Sequence, residues 1–262
     1  MQRPMRVCPG KESADEALSI LRLQSQNMVP LKANGRCLAK FYIESRKKPK
    51  NENFPVKLWF SPPCYVRLQG DVAFNPRGIE LGSNDEEFWL SMKPKEIGNS
   101  FFWGRWDCGG GFGALKISPE ILLEAIGVIE VDDEKNWSLS NEGGFDVLAK
   151  QNDRGIIIKK IYIRSDNYLV WRIEYFDDTG ERIAATELDK YKQVSEGFFV
   201  PAVIKIIRRA EDGREDSAKI TLRSIKPAKI TEEVQRRLFT RPQPKGFKRV
   251  YEVIDGNVIE QR

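Results

Sequence analysis

Histidine is absent from all 262 residues, and this constrains the available chemistry before any motif is considered. Without it there is no Ser–His–Asp or Cys–His activation, and the commonest transition-metal ligand is missing. Carboxylate pairs and lysine-based sites remain open. A run of three carboxylates stands at Asp85-Glu86-Glu87. It follows Gly82-Ser83-Asn84, a turn signal, where adjacent carboxylates are normally solvated. Cys8, Cys37, Cys64 and Cys108 form no CxxC pair, so no metal site is expected. A disulfide among Cys37, Cys64 and Cys108 and buried free thiols are both open. Gly109-Gly110-Gly111 lies in a glycine-rich loop that lacks the GxxxxGK[ST] of a phosphate-binding loop. Trp171, Arg172 and Tyr175 suit base stacking in type, but no RNP-like or OB-like arrangement surrounds them. These residues favour a binding protein over an enzyme, with no cofactor and no nucleic-acid partner; a carboxylate-based hydrolase is the weaker alternative.

Large apolar side chains are concentrated in the first half of the chain, and the chemistry they serve is desolvation. An acyl chain needs a dry concave wall with few polar groups inside. Trp59, Phe60, Phe74, Phe88, Trp89, Leu90, Phe102 and Trp103 are the expected wall, with Leu122 and Ile126 contributed by a helix. Alternation along a strand puts Phe88 and Leu90 on one face and Trp89 on the other, so the set cannot line one cavity as a whole. Arg67, on a strand candidate, is expected to hold a lid closed by donating to helix or loop carbonyls.

The elements that must position these residues are mostly strands. Ser13–Gln26 reads as a helix, with Ser13 as N-cap, Glu16 three residues on, and Ala17, Leu18 and Leu21 as its apolar stripe. A second helix starts at Ser118-Pro119 and ends at Gly127, and a short third runs from Thr231 to Leu238. Between them, strand-like segments are separated by turns such as Asn152-Asp153-Arg154-Gly155 and Asp177-Asp178-Thr179-Gly180. Glu130–Gly144 reads as a polar connection. About eleven strands without βαβ alternation predict an α+β, mostly β fold, with one antiparallel sheet. Such a long sheet must curl or be covered, and two or three helices suffice to cover the concave face of an unclosed half-barrel. The expected organisation is a linker over residues 1–12, one domain over 13–250 and a tail over 251–262.

Several short stretches, in order, resemble the LolA/LolB-like superfamily of lipoprotein carriers. They are Val56-Lys57-Leu58-Trp59-Phe60 with Cys64-Tyr65-Val66-Arg67-Leu68, then Asn84-Asp85-Glu86-Glu87-Phe88-Trp89-Leu90 and Phe102-Trp103-Gly104. Ser118–Gly127, Asp177–Gly180, Phe199-Val200-Pro201 and Phe239 with Pro242 continue the series. The resemblance implies an unclosed β-barrel with a helical lid and a cavity for acyl chains, at a periplasmic or outer-membrane location. It implies lipid or lipoprotein acyl chains as the partner, and a membrane surface or envelope protein beside them. Relatives that act as sensors of mislocalised lipoproteins make a protein-interaction module the alternative. The chain is longer than the simple carriers and carries the Cys108–Gly113 loop, so binding is better supported than transport.

Charge and leader signals complete the reading. Residues 201–250 carry fourteen Lys or Arg against six Asp or Glu, while the whole chain carries +5. Such a patch suits phosphate-bearing lipids, anionic polymers or acidic partners. Met1–Lys11 shows no apolar segment of a signal peptide. Arg6 stands where an acylation motif ahead of Cys8 would have a small residue.

Overall fold

A computed structural model describes residues 8–42, 48–72, 75–95, 98–106, 119–129, 136–209, 213–255 and 257–261. Phe74, the Cys108–Gly113 loop and the expected cap Ser118 lie outside the described residues. The elements in order are α1 (Ala14–Gln26), β1 (Leu31–Phe41), β2 (Lys50–Ser61), β3 (Tyr65–Val72), β4 (Asn75–Ser83), β5 (Glu87–Met92) and β6 (Ser100–Arg105). Then come α2 (Pro119–Ile126), β7 (Trp137–Glu142), β8 (Phe145–Gln151), β9 (Ile157–Arg164), β10 (Val170–Phe176), β11 (Arg182–Ser195), β12 (Phe198–Arg209) and β13 (Glu215–Pro227). The chain closes with α3 (Glu232–Phe239), β14 (Arg249–Ile254) and β15 (Asn257–Gln261).

All strands join one sheet of fifteen, in the order β15-β14-β6-β5-β4-β3-β2-β1-β13-β12-β11-β10-β9-β8-β7. The sheet is unclosed, with β15 and β7 as its edges, and mostly antiparallel. The count corrects the expected eleven, and one pair, β14 with β6, is parallel. Three strands escaped the sequence reading for physical reasons. β7 is a polar edge strand paired only with β8. β15 is exposed throughout. β14 pairs with a strand some 150 residues earlier in the chain, so no turn residues announce it. The segment expected as a tail therefore contributes strands to the sheet.

The sheet curls around its helices. α2 packs against β4 as well as β11 and β12. In a flat sheet β4 and β11 lie six strands apart, about 29 Å at the usual spacing. An eight-residue helix spans only about 12 Å, so it touches both only if the two wings fold toward each other. Alternation fills the enclosed inner face with Phe54, Val56, Leu58 and Phe60 from β2, Ile161 and Ile163 from β9, and Ile204 and Ile206 from β12, all in one buried cluster with α1 and α2. Ser13 caps α1, its hydroxyl accepting from Glu16 N–H at 3.2 Å. Ahead of the helix, Lys11 N–H donates to the fully buried Asp146, which Tyr168 and Asn141 also bind.

α3 does not join α1 and α2. It lies on the outer face, packed on β3, with Tyr65 against Phe239 at 5.5 Å. Only two of the three helices thus cover the inner face.

Candidate ligand cleft

The two faces of the sheet divide the expected wall. Cross-strand pairing aligns Phe60 with Val66, Leu81 with Leu90, Phe88 with Gly104, and Leu90 with Phe102, all inward. The same registers align Trp59 with Arg67, Arg67 with Gly82, Gly82 with Trp89, and Trp89 with Trp103, all outward. Phe60, Phe88, Leu90, Leu122 and Ile126 belong to the inner core, and Phe102 packs against it from the β14 side, its ring 4.8 Å from that of Tyr251. The three tryptophans do not join them. Trp89 is fully buried on the outer face, beneath Gly82. Trp103 lies under the Arg241 guanidinium at 4.3 Å.

Where the wings approach each other the inner face leaves an apolar cleft of about 100 Å³. Ile79, Leu90 and Met92 line one side, and Ala39, Ile206 and Ala218 the other, with Lys40, Arg208 and Asp216 at the polar margin. The cause is side-chain size. Ala39 and Ala218 are direct cross-strand partners, and Ala218 also faces Ile206, so two methyl groups stand where the sheet would otherwise fill the space. Of the expected residues that are among those described, Leu90 alone lines this cleft. The space has no large-side-chain signature in the sequence, because it is small inward residues that leave it. The legible signal was alanine at strand positions in register with isoleucine. Asp216 is anchored by the Tyr42 N–H at 2.8 Å.

A ligand pocket for a small organic molecule usually measures some 300–1,000 Å³, so the cleft as it stands is closed down. The elements that occupy the rest of the interior are α1 and α2, and the tether of α2 is ionic. Glu124 is the second of two glutamates in a helix whose other residues are apolar, and it is 6% exposed. Lys159 Nζ donates to its Oε1 at 2.5 Å and the Tyr175 hydroxyl to its Oε2 at 2.6 Å. Burial, reinforced by the Glu124 charge, pushes the Tyr175 hydroxyl well above the ordinary tyrosine range. It stays protonated and serves as a donor. Lys159 and Tyr175 are partners across β9 and β10, so α2 is clamped to two adjacent strands. Sequence reading took Arg67 as the clamp. In the structure Arg67 sits on the outer face, where it donates to the Leu238 carbonyl of α3 and pairs with Glu80 at 2.9 Å. It fixes a helix end, but that helix is on the side away from the cleft.

The other chemistry-bearing residues are engaged locally. Glu87 pairs with Arg241 at 2.7 Å, and the Asn84 side chain accepts from the N–H groups of Glu86 and Glu87. Tyr175 faces inward onto Glu124, while Trp171 packs on Phe145 and Tyr162, so the two do not share a stacking surface. Among the described residues no group of three or more Cys, Asp or Glu could hold a metal ion, and no helix is long and apolar enough to cross a membrane. Cys37 is a free buried thiol, outside any disulfide.

No family model matches the chain, and no curated protein matches it by sequence. Solved structures do match its fold. A domain described as that of an outer membrane lipoprotein-sorting protein from Vibrio parahaemolyticus superposes at TM-score 0.54 and 10% identity, over 86% of this chain and 97% of that one. A DUF1329 family protein from Desulfovibrio piger gives 0.55 and 11%, over 88% and 100%. A LolA superfamily protein from Nitrosomonas europaea gives 0.53 and 10%, over 86% and 97%. At these identities the likeness is one of fold, and it extends over nearly the whole chain.

Proposed function

We propose that the chain is a non-enzymatic binder of lipid acyl chains, acting in lipoprotein sorting or assembly in a bacterial cell envelope. The observation that carries this reading is the apolar cleft between the two wings, in an interior where the helix α2 is tethered by a buried ionic clamp. Acyl chains are gained by desolvation, about 0.8 kcal/mol per methylene buried, and the inner face offers a continuous apolar surface once α2 gives way. The fold shared with a lipoprotein-sorting domain and a LolA superfamily protein supports the same reading. The cleft's small closed volume favours a second one, an envelope interaction module that has kept the fold and filled the interior.

Titration with a fluorescent fatty acid separates the two. The wild-type chain is expected to bind the probe, and Ala218→Phe, which inserts a ring between Ala39 and Ile206, is expected to abolish binding while the melting transition stays cooperative. Absence of probe binding by wild type, or unchanged binding by Ala218→Phe, would overturn the assignment.

A further inference from the structure

Along the paired middle stretches of three adjacent strands the outer face carries charge of one sign. Residues 31–41 of β1, 53–61 of β2 and 217–227 of β13 contain seven Lys or Arg and no Asp or Glu. The registers align them outward. Lys32 faces Lys226 and Trp59, Arg36 faces Thr221 and Pro55, Lys40 faces Ser217 and Asn51, and Lys57 faces Asn34. Lys219 stands opposite Leu38, which faces Asn53 on its other side. Lys32, Arg36, Lys40, Lys57, Lys219 and Lys226 are all exposed. Farther along the outer face Arg172, Arg182 and Lys205 pair with Glu174 and Glu187. Among the described residues the cations of the patch have no such acidic partner.

We propose that this face docks the protein on an anionic phospholipid surface. Its non-charged members favour a bilayer over a soluble polyanion. Leu38 is 49% exposed in the middle of the cations, and the half-buried Trp59 lies beside Lys57 at one margin. An apolar side chain and an indole among lysines suit the headgroup region, where aliphatic stems and aromatic rings enter while charges stay with the phosphates. Each cation held near an anionic surface contributes about fivefold in affinity. Lys40 belongs both to this row and to the margin of the inner cleft, so docking would bring the cleft mouth toward the membrane.

Vesicle co-sedimentation tests the inference. Wild type is expected to pellet with vesicles of equal parts phosphatidylcholine and phosphatidylglycerol, and to be released by high salt. It should remain in solution with phosphatidylcholine alone. Lys32→Glu/Lys57→Glu/Lys219→Glu is expected to lose at least about 30-fold in partitioning. Lys95→Glu/Arg154→Glu/Lys245→Glu, which removes the same charge elsewhere, should lose far less. Both triples substitute exposed side chains, and both should keep the wild-type melting curve. Leu38→Ser should weaken vesicle binding and leave binding of inorganic polyphosphate unchanged. Equal losses in the two triples would overturn the proposal, as would polyphosphate binding with no vesicle binding. Fatty-acid probe binding by the patch triple should equal wild type, so failure here is distinguishable from failure of the acyl-binding assignment.

Discussion

At the scale of single residues, the fold turns on side-chain size as much as on hydrophobicity. Gly82 is outward on β4, and a Cβ there would sit 2.4 Å from the Trp89 ring. The indole packs against Gly82 and donates to Glu80 at 3.3 Å. Gly82→Ala is expected to cost about 1–3 kcal/mol by forcing a buried ring from its place, read as a lowered denaturant midpoint. Trp89→Phe in the same background should recover part of the loss. Cys37 offers a second test. Burial pushes its thiol up to about 12, against an ordinary value of 9.0. The fold thus prefers the neutral thiol. This contribution to stability is fully present below the unfolded value and declines as pH rises through the window from 9 to 12. Alkaline unfolding monitored between those limits should be shallower in Cys37→Ala than in wild type, and Cys37 should resist thiol reagents until the chain unfolds. That an alanine pair opens the cleft while most of the aromatic set packs the core or the outer face marks the limit of composition as a guide. Sequence shows which side chains are large. Where the space remains depends on register.

Elements carry the next level of control. The hairpin strands were legible because each turn has its own chemistry: Asp177 accepts from Thr179 and Glu181 N–H, and Gly180 takes a φ of +82°. The placement of α3 on the outer face was not legible, since its amphipathic pattern specifies a buried stripe and not which side of the sheet receives it. The clamp on α2 was half legible, as a glutamate set among the buried apolar residues of the helix. Removing one member of a buried ion pair leaves the other unsatisfied, typically costing about 3–5 kcal/mol. Glu124→Leu is therefore expected to destabilise strongly, and Glu124→Leu/Lys159→Met to recover much of that. If α2 gates the cleft, the double variant should also take up a fatty-acid probe faster in stopped-flow. On the outer face, Glu174 ties β9, β10 and β11 together. Burial alone would raise its pKa, but bonds from Arg182, Arg172 and Tyr162 outweigh it and hold the carboxyl below its ordinary range. With the folded value depressed, the stabilisation is present above the ordinary glutamate pKa of 4.5 and is lost as pH falls through the lower folded value. Glu174→Gln should flatten the acid limb of a stability-against-pH curve measured from pH 6 downward.

For the whole molecule, the question is how an unclosed sheet of this length ends. An exposed edge offers unpaired backbone groups to other chains, and the two edges here differ. β7 is polar and packs against α1. At the other end β6, with Phe101 buried and Phe102 stacked on Tyr251, would be a long apolar edge if nothing covered it. The chain covers it by returning through α3, across the outer face, and laying β14 beside it in parallel. Val253 is buried in this arrangement, and Phe247 packs on Phe101 at 5.4 Å. β15 then adds an outer strand whose residues are all exposed, so its removal should expose little apolar surface. Truncation after Ile254 is accordingly expected to change the melting temperature by no more than a few degrees, with the oligomeric state of the full chain kept by light scattering. Truncation after Lys248 removes β14 as well, uncovers the β6 edge and loses the stack of Tyr251 on Phe102 and the buried Val253. That variant should unfold at a markedly lower temperature and form concentration-dependent oligomers. A monomeric, fully stable product would show that β14 is an appendage. The expected contrast would show that a segment which reads as a tail is the strand that finishes the fold.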